Sequence, residues 1–238
     1  MTEWRSISRN RREFGLAAIL ATLAVPPLLA QQFVAIPTPD GGEVHADVYG
    51  SGDRGVVLAP GGRFDRSSWR LQARALADAG FRVLAIDFRA AVRARAGEES
   101  GCLYDPACLA GDVLAAVRYL RETGARTVSV VGGSLGGGAA GQAAVEAREG
   151  EIERVVLLAH LPIVAPERMK GRKLFIVSRD DRGSGDQPRL PGIRDQFAKA
   201  TDPKELVILE GSAHAQFIFA TPEGDRVMRE ILRFLSAP

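Results

Sequence analysis

Gly132-Gly133-Ser134-Leu135-Gly136 stands between an apolar run, Thr127 to Val131, and a stretch rich in small residues, Gly137 to Arg148. The run reads as a buried strand and the stretch as a helix, so the serine falls on the turn between them. A serine in a Gly-x-Ser-x-Gly turn has only small neighbours. Its hydroxyl projects past the carboxyl edge of a sheet, at the N-terminus of a helix. The chemistry this suggests is acyl transfer.

Outward from that turn, strand-like and helix-like segments alternate. Upstream come Val56 to Ala59, a helix over Ser67 to Ala79, Arg82 to Asp87, and a helix over Leu109 to Thr123. Downstream come Val155 to Ala159, Lys173 to Ser178, a weaker helix over Ile193 to Ala200, Glu205 to Leu209, and a closing helix from about Glu223 to Leu235. Such alternation is the pattern of a mostly parallel sheet covered by helices. Val155-Val-Leu-Leu158 is apolar continuously, which suits a strand buried on both faces. In the first helix, Ser67-Ser68 offers a cap, Trp69, Leu71, Ala75, Leu76 and Ala79 form an apolar stripe, and Gly80 supplies a stop. Ahead of the alternation, Phe33 to Ile36 and Glu43 to Tyr49 flank Pro39-Asp40-Gly41-Gly42, the pattern of a β-hairpin. The expected fold is therefore α/β: a mostly parallel central sheet with an N-terminal antiparallel hairpin and helices on both faces.

The chain has 238 residues and a formal charge of +2, a length that suits one large α/β domain or two small ones and allows a sizeable core. That charge sits in the first thirty residues, where Arg5, Arg9, Arg11 and Arg12 oppose Glu3 and Glu13. A near-neutral remainder argues against a nucleic-acid partner. The basic start precedes the apolar stretch Gly15 to Val25 and then Pro26 to Ala30. This reads as a secretory signal over residues 1–30, cleaved after Ala30, ahead of a catalytic-size domain over 31–238. The apolar stretch falls short of the about 20 residues of a membrane span, so no stable anchor is expected after cleavage. Asn10-Arg11-Arg12-Glu13-Phe14 resembles a twin-arginine export signal, and an ordinary Sec signal explains the same residues equally well. Either route places the mature protein in the periplasm or outside a bacterial cell. There Cys102 and Cys108, the two cysteines, would form a local disulfide in a loop. With no histidine near them, a metal site is not expected.

A serine nucleophile needs a base and a carboxylate to orient that base. The chain has three histidines, which narrows the search. His45 belongs to the hairpin and reads as a structural or surface residue. His160 ends a strand at the edge where open α/β sheets bind ligands, and is a candidate for lining the substrate pocket. His214, in Glu210-Gly-Ser-Ala-His-Ala215, follows the last strand in a loop of small residues and is the candidate base. Between serine and histidine, the strand Lys173 to Ser178 ends in Arg179-Asp180-Asp181, which offers two carboxylates.

In this order of serine, acid and histidine the chain resembles the α/β-hydrolase superfamily. There the acid commonly takes the fourth place of a Gly-x-x-Asp turn, and Ser178-Arg179-Asp180-Asp181 fits that turn with serine replacing glycine. The resemblance favours Asp181 over Asp180. It also implies an oxyanion hole from the backbone N–H of Leu135 and a second N–H, from Gly62 or Arg63, in Pro60-Gly61-Gly62-Arg63-Phe64. That loop is similar to the family's His-Gly-Gly loop, with Pro60 where histidine is common. Arg63 is either solvated, the reading preferred here, or a contact for an acidic substrate group. Asp87-Phe88-Arg89-Ala90 is similar to a structural Asp-x-Arg-Gly loop. The short insertion between Ala159 and Lys173 leaves little room for a lid, as in the compact esterases and dienelactone-hydrolase-like members.

The resemblance thus implies a cofactor-free serine hydrolase acting on small carboxylic esters. Amide or peptide cleavage and dienelactone opening remain open on the same residues, as does a non-catalytic binding protein of this fold. Gly136-Gly137-Gly138-Ala139-Ala140-Gly141 also fits a dinucleotide-binding pattern. That reading wants an acid about 20 residues later, where Ala159, His160 and Leu161 stand. Oligomeric state is not legible.

Overall fold

The computed structural model describes residues 1–2, 31–99 and 104–237. The expected export signal and Cys102 lie outside them. The hairpin forms as expected: β1 (Gln32–Pro37) runs antiparallel to β2 (Glu43–Tyr49). β2 then pairs antiparallel with β4 (Phe81–Ile86), joining the hairpin to the main sheet. The rest is parallel: β3 (Arg54–Ala59), β5 (Thr127–Gly133), β6 (Arg154–Leu158), β7 (Arg172–Ser178) and β8 (Lys204–Leu209). The eight strands lie in the order β1-β2-β4-β3-β5-β6-β7-β8. β5 therefore sits near the middle, where its carboxyl end is flanked by loops on both sides.

Helices cover both faces. One core holds α3 (Pro106–Glu122), α4 (Leu135–Glu146) and α5 (Leu190–Lys199) against Val57, Leu84, Val130 and Val155. The other holds α1 (Arg70–Asp78) and α6 (Gly224–Ser236) against Val56, Val83, Val131 and Val156. Neighbouring strand residues go to opposite cores because side chains alternate across a sheet. The continuous apolar runs in the sequence have this cause.

Local details correct several expectations. Asp65, not Ser67 or Ser68, caps the turn that enters α1, its carboxylate accepting the Ser67 N–H at 2.9 Å. Trp69, Ala73 and Leu76 are buried, while Leu71 is 70% exposed, because a residue two positions before Ala73 on α1 lies about half a turn around the helix, on its outer face. Arg89–Arg95 forms a short helix, α2, where only a loop was expected. Arg89 donates to the buried Asp112 through its N–H and Nε, and Asp87 accepts from Arg66. Cys108 lies in the first turns of α3, not in a loop, since Asp105 caps this helix and Pro106 starts it three residues before the expected Leu109. His45 is structural, its ring edge-on to Phe33 at 5.3 Å.

Candidate active site

Ser134 occupies the single residue between β5 and α4 and has φ +53° and ψ −113°. A positive φ at a residue with a Cβ costs on the order of 1–3 kcal/mol, so the surroundings must impose it. The Ser134 N–H donates to Leu158 O at 2.8 Å, and Ser134 O accepts from Gly138 and Leu161 N–H, both at 3.0 Å. The turn is also crowded. A Cβ on Gly136 would stand 2.3 Å from Ala59 O and 2.5 Å from Pro60 O, backbone that cannot swing aside. Glycine there lets α4 press directly against the loop after β3.

Asp181 is completely buried at the end of the turn that follows β7. Its Oδ2 lies 2.8 Å from His214 Nδ1. Asp180 is exposed, so of the two carboxylates only Asp181 is brought to the histidine. Ser178 donates from Oγ to Ala213 O at 2.7 Å, tying the acid turn to the histidine loop. The other Asp181 oxygen has no hydrogen bond and faces Arg189 Nε at 3.6 Å, while the Arg189 N–H donates to Asp181 O at 2.9 Å. Arg189 was not singled out in the sequence; it lies just ahead of α5, with no motif to mark it.

His214 follows β8, and its Nε2 stands 2.8 Å from Ser134 Oγ. Because Nδ1 faces a carboxylate, it carries the proton, which leaves Nε2 as the acceptor for the serine hydroxyl. The arrangement can draw a proton from Ser134 as its oxygen attacks and hold the resulting imidazolium beside Asp181. Leu135 opens α4 with its N–H at the helix start. Across from it, the Gly61 N–H is taken by Gln216 Oε1 at 2.7 Å. The Gly62 and Arg63 N–H groups have no acceptor among the described residues. Arg63 is exposed beside the loop. Phe64 and Phe217 stand with ring centroids 5.1 Å apart, Phe217 half-exposed.

His160 is brought close to the turn but faces inward. Its ring is buried edge-on to Phe175 at 5.4 Å, and Nδ1–H donates to Leu161 O at 2.8 Å. Burial pushes its pKa down to about 4, with the nearby Arg189 charge acting the same way. It lines a cavity of about 350 Å³ with Pro162, Pro188 and Arg189 beside α5. Neither Ser134 nor His214 lines that cavity. Gln216, missed in the sequence, carries no local signal: its partners are Gly61 and Ser68, far away along the chain. No group of three or more His, Cys, Asp or Glu among the described residues is arranged to hold a metal ion.

Residues 56–223 match the Alpha/beta hydrolase family. Among solved structures, the chain is similar to a dienelactone hydrolase from Anabaena variabilis, with a TM-score of 0.71 and 24% identity over 86% of this chain and 95% of that one. An esterase from Pyrococcus furiosus gives 0.66 and 20% over 87% and 92% of the two chains. An esterase from Exiguobacterium antarcticum gives 0.68 and 12% over 87% and 100%. At such identities the likeness is one of fold. No curated protein matches the chain.

Proposed function

The chain belongs to the α/β-hydrolase family, and from that premise we propose that it is an exported serine hydrolase that cleaves carboxylic esters. The observation that carries this reading is the unbroken relay from Ser134 Oγ through His214 to the buried Asp181, with both hydrogen bonds at 2.8 Å. Ser134 attacks the ester carbonyl while His214 takes its proton, and Asp181 holds the imidazole in the required tautomer. The N–H groups of Leu135 and Gly62 receive the oxyanion. His214 then returns the proton to the leaving alcohol, and water, activated by the same histidine, releases the acid.

Arg63, exposed on the loop after β3, stays solvated or meets an acidic group of the substrate, and the buried His160 serves packing under the site. The remaining proposals concern the chain ends and the cysteines: residues 1–30 act as an export signal, 31–238 form the mature hydrolase domain, and Cys102 pairs with Cys108. N-terminal sequencing of the exported protein should begin at Gln31.

A fluorophosphonate probe tests the mechanism. It should label the wild-type protein and fail on Ser134→Ala, and equal labelling of both removes Ser134 from the reaction. A panel of chromogenic esters and matching amides then reads the bond class, with turnover expected on the esters.

A further inference from the structure

Backbone donors contribute to an oxyanion hole only if they are held in place before the reaction. Pro60-Gly61-Gly62 is poorly suited to hold itself, because two adjacent glycines are conformationally free and proline has no N–H to donate. The loop's one internal tie is the turn in which Phe64 N–H donates to Gly61 O at 2.9 Å. A second tie comes from 155 positions away.

Gln216 lies two residues after His214, on the 3₁₀ turn Ala215–Ala220, and its side chain runs back under the site. Its Oε1 accepts the Gly61 N–H at 2.7 Å in a buried contact, and its Nε2 donates to Ser68 Oγ at 2.6 Å. Ser68 Oγ in turn donates to Asp65 O at 2.6 Å, so it must accept from the amide nitrogen. Each end of the amide therefore has a partner of the right kind, which fixes its orientation. The amide also fills the space left by two glycines. A Cβ on either Gly61 or Gly133 would stand 3.2 Å from Oε1. One side chain is thus wedged between the loop after β3 and the strand end that feeds Ser134, while its own backbone carries the histidine.

We infer that Gln216 is the positioning residue of the oxyanion loop, setting the Gly62 N–H against the nucleophile turn through its hydrogen bond to Gly61. The inference rests on the ester-hydrolase reading above. Gln216 touches no reacting atom, and its effect is felt where charge develops on the carbonyl oxygen. The expected signature is therefore a fall in kcat with KM unchanged, since the ground-state carbonyl draws little on the hole.

The test compares wild type, Gln216→Met and Ser68→Ala on a chromogenic ester, together with inhibition by an aliphatic trifluoromethyl ketone. The ketone adds to the serine as a tetrahedral oxyanion. Methionine keeps the length and removes both polar ends. Complete loss of one oxyanion donor costs on the order of 10²–10³ in kcat, and a misplaced one should cost about 10- to 100-fold. Ketone affinity should fall in parallel and KM should stay within about twofold. Ser68→Ala leaves the Gly61 bond and should lose less. If the methionine variant does not fold, Gln216→Asn, which withdraws the carbonyl by one methylene, decides in its place. A folded variant that keeps both kcat and ketone affinity overturns the inference, as does a loss confined to thermal stability. Either result leaves the ester-hydrolase reading standing if wild type is labelled at Ser134. A wild type that is neither labelled nor active overturns both.

Discussion

α4 and α6 cover opposite faces of the same sheet and solve the task in opposite ways. α6 presents Val227, Ile231, Phe234 and Leu235 to the sheet at helical spacing and leaves its charged side to solvent. In α4 every residue from Leu135 to Val145 is buried, and the helix is built largely of glycine and alanine. Glycine is a poor helix former, so α4 gives up intrinsic stability for close approach. What it gains is position. Only a thin helix can begin directly behind Ser134 while touching the loop after β3 on one side and α3 on another. The comparison separates a helix that holds the fold from a helix that places Ser134.

The largest expected effect tests the first kind. Phe234 is 1% exposed, and Phe234→Ala should cost about 3–5 kcal/mol in denaturant unfolding. Turnover per folded molecule should stay unchanged; a fall in kcat would mean that α6 also shapes the site. Next, Gly136→Ala places a Cβ against the Ala59 and Pro60 carbonyls, and should cost about 3 kcal/mol. Here ester turnover should fall with stability, because the obstructed backbone belongs to the loop proposed to bind the oxyanion. Retained activity would break the contrast with α6.

His160 gives an intermediate effect that depends on pH. Its folded pKa of about 4 lies below the ordinary value of 6.5, so the unfolded chain binds the proton more readily. The stability this neutral ring permits is full above about pH 6.5 and is lost as pH falls toward 4. Between pH 7 and pH 5 the wild type should lose about 2 kcal/mol through this group. Urea unfolding at the two pH values should show a smaller drop in His160→Phe, and equal drops would refute the assignment. The smallest effect is a gain. Gly111 lies exposed on α3 with nothing near its absent Cβ, so Gly111→Ala should stabilise by about 0.5–1 kcal/mol, read as a raised Tm. A loss there would show that glycine in this α3/α4 layer serves packing even where no neighbour is close.

Ser134, His214 and the pair Asp180-Asp181 were legible as candidates because each stands after a strand in a short, recognisable turn. The inner strands were legible because burial on both faces leaves a continuous apolar run. α2 was not, since Ala90 is its one buried residue and the arginines around it erase any apolar period. Leu71 was placed in the apolar stripe and proved exposed, because the buried face of α1 runs through Ala73 and Leu76 and a residue two positions before Ala73 points the other way. Gln216 and Arg189 left no trace, as both act on residues with which they share no local pattern.

From the sequence by itself came the order of strands and helices, the family resemblance, and the serine, acid and histidine with the turns that bear them. All of these are recorded in short-range patterns of size, polarity and spacing. Only the tertiary structure decided which of two adjacent aspartates turns inward, which N–H groups of the loop after β3 remain open, and which distant side chain reaches that loop. Those outcomes depend on side chains that meet across the carboxyl edge of the sheet, where distance along the chain carries no information about distance in space.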